Sequence, residues 1–378
     1  MIQKGWLHER MPSFLVKVDQ GAALLLLSLS LFMLPTMALK AEWVPMAASA
    51  SQRISPRRSG HTAFTVDGTS VFVFGGYIEI DPTKNGETPF REVRNDLWKW
   101  NTDAFEEQKG MKGDIPGPRL ATGTACVGDK AYLFGGWDPQ TPGSGGIILD
   151  TVHCLDLKTM EWSLVCHLPD GPTSRHVALA FGGDKVLIHN HRCTDHVWIF
   201  DPKTRKFTEK PTSGEGPGSL GLHAATMLDD KTLLIWGGAA KDGRMSDRSY
   251  RLNLETWKWE LIKVEACPSA RAGACLGTYD SNCAILFGGA ETTDKGLNPK
   301  GDVWALYLSP DSNKGRWEKL LEERPVEADD TFRPGPRNAA TMTPIVSDDE
   351  KCKQFLLTGG WAPFRKTWDD VFVLRVSE

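Results

Sequence analysis

The sequence predicts an all-β fold assembled from six consecutive units of four short antiparallel strands, and three observations predict it. An apolar run ending in Gly-Gly recurs along the chain as VFVFGG from Val71, AYLFGG from Ala131, LLIWGG from Leu233, AILFGG from Ala284 and FLLTGG from Phe355. A sixth copy, VLIHN from Val186, has lost the glycine pair. The copies recur at roughly 50 to 70 residues, and the composition is rich in Gly (37) and Trp (14), as expected of many short strands joined by glycine-containing turns. No long amphipathic helical pattern follows residue 40.

Each unit reads through in the same order. A first strand is opened by Pro and, in most copies, Arg: PRRSGHTAF, GPRLATGTA, TSRHVALAF, SLGLHAATM, SARAGACLG and GPRNAATMT. The Gly-Gly strand is second. The third follows an Asp, as NDLWKW, DTVHCLDL, DHVWIFD, DRSYRLN, DVWALYL and DDVFVLRV. The fourth ends on an aromatic: Phe105, Trp162, Phe207, Trp259 or Trp317. The last unit stops at LRVSE without a fourth strand, whereas KAEWVP stands near the N-terminus with no unit before it. The two ends complete each other, so the strand around Trp43 is expected to close a ring and remove the exposed sheet edges that invite aggregation. Four short strands per repeat is the blade of a propeller, which gives a six-bladed β-propeller over residues 42–378.

The Gly-Gly after a hydrophobic strand, followed by spaced aromatics, resembles the kelch repeat, and the resemblance extends over residues 43–378. It implies a stand-alone propeller that binds a protein or peptide partner on one face. Domains it resembles use arginines at the start of the first strand for acidic peptide motifs. An enzyme alternative is a propeller acting on a small acidic sugar, as in mutarotases of this architecture. Resemblance to the iron-using plant specifier proteins is weaker, because Glu92 and Asp96 are present but Trp100 stands where a ligand should follow. The short stretch before the repeats leaves no room for a BTB or F-box module, so a ligase adaptor is not expected.

Two sets of features converge on one face. With strands named a to d outward from the axis, the d-to-a and b-to-c connections emerge together, and the b-to-c connections are long. Long loops on a rigid scaffold usually carry function. Arg58, Arg119, Arg175, Arg271 and Arg337 open first strands on that face, with Tyr77, Trp137 and Trp361 directly after Gly-Gly beside them. Arginine binds carboxylates in planar bidentate fashion, and arginine with aromatics is the composition of binding hot spots. The competing role for these arginines is to pair with the repeat aspartates Asp96, Asp150, Asp195, Asp247, Asp302 and Asp370 and hold the blades together.

No metal or other cofactor is expected, although His189, His191, Cys193 and His196 in the degenerate third unit are weak metal candidates. The sequence has no common local catalytic signature. Formal net charge is −4 with the signs interspersed, so no basic stripe advertises nucleic acid, and a monomer is expected. The eight cysteines lack a framework spacing and read as small buried hydrophobes. Gln20 to Leu39 is free of charge and follows Lys4, Arg10 and Lys17. Residues 1–41 therefore read as a signal peptide or membrane anchor, placing the propeller on the non-cytosolic side in the secretory pathway. If translation instead starts at Met37, the propeller is cytosolic.

Overall fold

The computed structural model describes residues 38–46, 56–80, 90–102, 104–140, 146–325, 332–363 and 365–378. Leu39–Glu378 forms one body of six antiparallel blades, and the described residues contain no helix. Blade 1 is built from Thr62–Thr65, Val71–Phe74, Leu97–Trp100 and Phe105–Glu107 in that spatial order. Blades 2 to 5 repeat the plan within residues 123–167, 177–211, 224–262 and 272–321. Blade 6 takes Thr341–Ile345, Cys352–Thr358 and Val371–Ser377 from the C-terminal end and Lys40–Pro45 as its outer strand. Trp43 lies opposite Leu374 in that pairing, and its ring packs edge-on against Phe287 and Phe372. The N-terminal strand thus closes the ring.

Burial follows position in the blade. The second strands, such as Val71–Phe74 and Leu233–Trp236, are buried throughout because neighbouring blades cover both faces, which explains their unbroken apolar runs. Outer strands such as Lys206–Pro211 meet water and turn polar. The core consists of clusters between adjacent blades, Phe74, Leu133 and Trp162 in one and Trp236, Leu286 and Trp317 in another. In blades 2 and 4 the incoming chain, Lys112–Gly113 and Ser213–Gly214, adds a short parallel strand outside the fourth, covering an otherwise open edge.

All eight cysteines are free, and burial pushes the thiols of Cys126, Cys193, Cys275 and Cys283 up to about 12. Among the described residues no helix is long and apolar enough to cross a membrane. Residues 1–37, which carry most of the leader expectation, lie outside the described residues.

Candidate functional site

The backbone builds the central mouth in two concentric layers. The residue two places after each repeat arginine adopts a left-handed conformation: Gly60, Ala121, Gly273 and Ala339, with Arg175 and Leu222 in the two blades lacking that arginine. Each of these six donates its N–H to the carbonyl of its counterpart in the preceding blade. The links are Gly60 to Ala339, Ala121 to Gly60, Arg175 to Ala121, Leu222 to Arg175, Gly273 to Leu222 and Ala339 to Gly273, at 2.7 to 3.0 Å. A closed circuit of six hydrogen bonds results.

Outside it, the Gly-Gly pairs act as latches. The second glycine of each pair donates to a carbonyl of the next blade: Gly76 to Arg119, Gly136 to Thr173, Gly238 to Arg271, Gly289 to Arg337 and Gly360 to Arg58. A Cβ on the first glycine would meet that same carbonyl at 2.4 Å in Gly135 and Gly359, so glycine is required there for close approach as well as for its left-handed φ. Blade 3, which lacks the pair, holds blade 4 differently. His189 Nδ1 lies 3.2 Å from His223 Nε2, and the Ser219 hydroxyl donates to the His191 carbonyl.

This geometry corrects the expectation that five arginines ring the mouth. Arg58, Arg119, Arg271 and Arg337 are at most 3% exposed. Arg58, Arg271 and Arg337 make forked bonds to Asp96, Asp302 and Asp370, and each also donates to the carbonyl of the first glycine of its own blade's pair. Arg119 donates to Thr151 Oγ1 and Gly135 O in the same way, not to Asp150. These four therefore staple the start of the first strand to the second and third strands. Although burial raises a carboxylate's pKa, the guanidinium bonds hold Asp96 and Asp302 below their ordinary range.

Arg175 is the exception because it is out of register. Thr173, wholly buried, occupies the arginine position of blade 3, and Arg175 sits instead on the inner circuit with its side chain exposed. The sequence carried a usable signal. Pro172-Thr173 aligns with Pro118-Arg119, and His176 then aligns with His61, three residues after the arginine position.

Arg175 faces a cavity of about 430 Å³ over the inner circuit, whose walls include Tyr77, Trp137, Trp361, Leu120, Leu222 and Leu297. Its guanidinium lies 5.5 Å from the centre of the Trp137 ring, and it is the one charged side chain lining the cavity among the described residues. Tyr77 and Trp361 meet edge to face at 6.0 Å, and the Trp361 indole N–H donates to Glu79. The loops forming this wall are secondary hairpins tied across blades: Glu79 N–H donates to Thr367 Oγ1, and Val93 N–H to Gln140. The three predicted aromatics and Arg175 are thus brought together, and the other four arginines are not.

Three histidines that line the cavity, His61, His176 and His223, are neutral. Burial, with Arg58 adding to it, lowers His61 to about 3; burial, with His223 adding to it, lowers His176 to about 3; burial lowers His223 to about 4. Bases that weak are poorly matched to proton transfer near neutrality. In blade 3, His189 is buried against His223, His196 pairs with Asp195 and the Cys193 thiol accepts from Asn190 N–H. Among the described residues no group of three or more His, Cys, Asp or Glu is arranged to hold a metal.

A family model described as the KLHDC2/KLHL20/DRC7 Kelch-repeats domain matches residues 28–233 and 174–378. The chain belongs to the kelch-repeat family. This kelch propeller is 31% identical over 302 residues to Kelch domain-containing protein 2 of Bos taurus, covering 72% of the chain and 71% of that protein. It is 28% identical over 284 residues to Host cell factor of Drosophila melanogaster, covering 65% of the chain but 18% of that much longer protein. Among solved structures, that titled "Structure of YjhT" superposes with a TM-score of 0.63 over 86% of the chain and 99% of its own, at 17% identity, a likeness of fold alone.

Proposed function

We propose that this kelch propeller is a protein-interaction module whose mouth binds an acidic peptide segment of a partner. The observation that carries the reading is the environment of Arg175, an exposed guanidinium and the one charged side chain of a largely aromatic and apolar bowl among the described residues. A carboxylate entering there would meet a planar bidentate donor in partly desolvated surroundings, where a charge-assisted hydrogen bond is stronger than in water. Tyr77, Trp137 and Trp361 supply large, stiff apolar area for a neighbouring side chain, the usual anchor of a protein interface. The charge-free run Gln20–Leu39 supports, within the same proposal, delivery of the propeller across a membrane.

The test is a binding screen of the purified protein against immobilised peptides graded in acidic and apolar content. Peptides combining both are expected to bind, and Trp137→Ala is expected to abolish binding while the protein melts as the parent does. Equal binding by the Trp137→Ala protein would remove the mouth from the account.

A further inference from the structure

The wall around the mouth is uneven. Blades 1, 2, 5 and 6 carry extra strand pairings in their second-to-third-strand connections, of Tyr77–Ile80 with Phe90–Val93, residues 136–138 with 147–149, residues 290–293 with 296–299, and Trp361–Ala362 with Lys366–Thr367. Blade 3 crosses the same point in a tight turn over residues 190–195, and blade 4 makes a short loop pinned by the Ala239–Met245 bridge. Where those loops are short, a second cavity of about 450 Å³ adjoins the first, sharing Arg175 and Leu222 with it.

This ledge has a different chemistry from the bowl. Its lining includes Arg175, His191, Arg192 and Lys241, with exposed Ile148 at its rim. Asp170 is the nearby carboxylate: it accepts from the Asn190 amide and stands 4.0 Å from Arg192. Arg192 is held in place by donating to Pro172 O, and Asp242, next to Lys241 in sequence, is taken up by Arg244. Lys241 is exposed with no ion pair among the described residues. The surplus of positive charge registers on His191, which burial and then Arg192 and Lys241 hold below its ordinary pKa.

We infer that the ledge between blades 3 and 4 is a second subsite, which binds an acidic side chain of the same peptide whose neighbouring residues occupy the bowl. The inference deepens the proposed function and rests on it. The peptide enters over the open, basic side and presents at least two carboxylates: one meets Arg175, and one sits between Arg192 and Lys241. Its apolar side chain is stacked against Trp137 and Trp361. A ligand confined to the bowl would have no use for the charge beyond Arg175.

The experiment selects random dodecapeptides displayed on phage with the full-length protein as parent, Lys241→Glu, the double variant Arg192→Glu/Lys241→Glu, and Trp137→Ala. The parent is expected to enrich peptides carrying an apolar residue and two or more acidic residues. The double variant is expected to bind those peptides at least tenfold more weakly and to select Lys or Arg at one acidic position, while keeping the apolar preference. Because Arg192→Glu brings two carboxylates together near Asp170, the single Lys241→Glu variant guards against misfolding and should show the same change in smaller degree. Unchanged acidic selection by both ledge variants would overturn the subsite and leave the mouth standing. If the parent enriches no acidic peptide, or enriches the same peptides as Trp137→Ala, both readings fail.

Discussion

Replacing Arg271 by alanine should destabilise the propeller strongly, although the residue opens its strand on the face proposed to bind. Its side chain is 2% exposed and that of Asp302 9%, with contacts of 2.6 and 3.3 Å between the two forks. Arg271 also satisfies the carbonyls of Gly288 and Ser269, both at 3.1 Å. Removing it strands a buried carboxylate and two acceptors, a loss of about 3–5 kcal/mol for an uncompensated buried charge. Spread over Leu39–Glu378 at about 2.1 cal/mol/K of unfolding entropy per residue, that corresponds to a fall in Tm of roughly 4–7 °C. The pH dependence identifies the cause. In the parent the Asp302 carboxyl is held below its ordinary value, so its pair contributes stability above the unfolded pKa that is lost as pH falls. In the variant only the Trp304 indole and a backbone hydrogen bond still oppose burial, so that pKa rises, and the deficit is largest at pH 7 and shrinks toward pH 5 as Asp302 takes up a proton. The double variant Arg271→Met/Asp302→Leu should recover most of the loss, since no unpaired charge remains. Urea denaturation at pH 7 and pH 5 measures all of this. A single variant within about 1 kcal/mol of the parent at pH 7, or a deficit independent of pH, would refute the stapling role.

Gly135→Ala places a Cβ 2.4 Å from Thr173 O and 2.9 Å from Leu149 O, both backbone atoms, so little folded protein is expected; size-exclusion chromatography of the soluble fraction checks it. Trp43→Ala removes the ring that packs on Phe287 and Phe372 at the closure, with an expected loss of about 3 kcal/mol in denaturant melts. His61, His176 and His223 stay neutral in the fold to about 3, 3 and 4, whereas the unfolded chain protonates near 6.5. Stability is therefore complete above the unfolded value and falls as pH drops, by about 1.4 kcal/mol per unit for each histidine once the unfolded state is protonated. Thermal melts between pH 7 and 4 should show a steep decline that His176→Leu makes shallower.

The fold was legible because its signals are repeated and local. Apolar runs with no polar alternation mark strands covered on both faces, and Gly-Gly marks the place where the backbone must pass within contact of the next blade. The orphan strand at Trp43 and the incomplete last unit together announced the closure. The site was legible in part. Tyr77, Trp137 and Trp361 line the mouth because the glycine pair turns the following residue toward the axis, where Tyr77 bridges Ser59 and Trp137 bridges Leu120. The arginines were misread as a set because strand-opening residues two positions apart look alike in sequence but have opposite fates. At the position of Arg58 a side chain points into the blade, and at the position of Gly60 it points into the mouth. The inner circuit of six hydrogen bonds left only a faint trace, Gly or Ala at four of its six places, because backbone bonds constrain conformation more than side-chain identity.

The central claim, that Arg175 works for a ligand and not for the fold, is tested most directly by Arg175→Gly. Blades 1 and 5 already place Gly60 and Gly273 at this position, and φ at Arg175 is 60°, so glycine relieves strain and should leave thermal stability equal or slightly higher. The measurement is calorimetric titration of parent and variant with an acidic, apolar peptide selected by the parent, at low and high salt, alongside their melting curves. The account predicts at least a tenfold loss of affinity and a flatter salt dependence in a protein that melts no lower than the parent. A variant that binds as the parent does, or one that loses binding only together with stability, would contradict it.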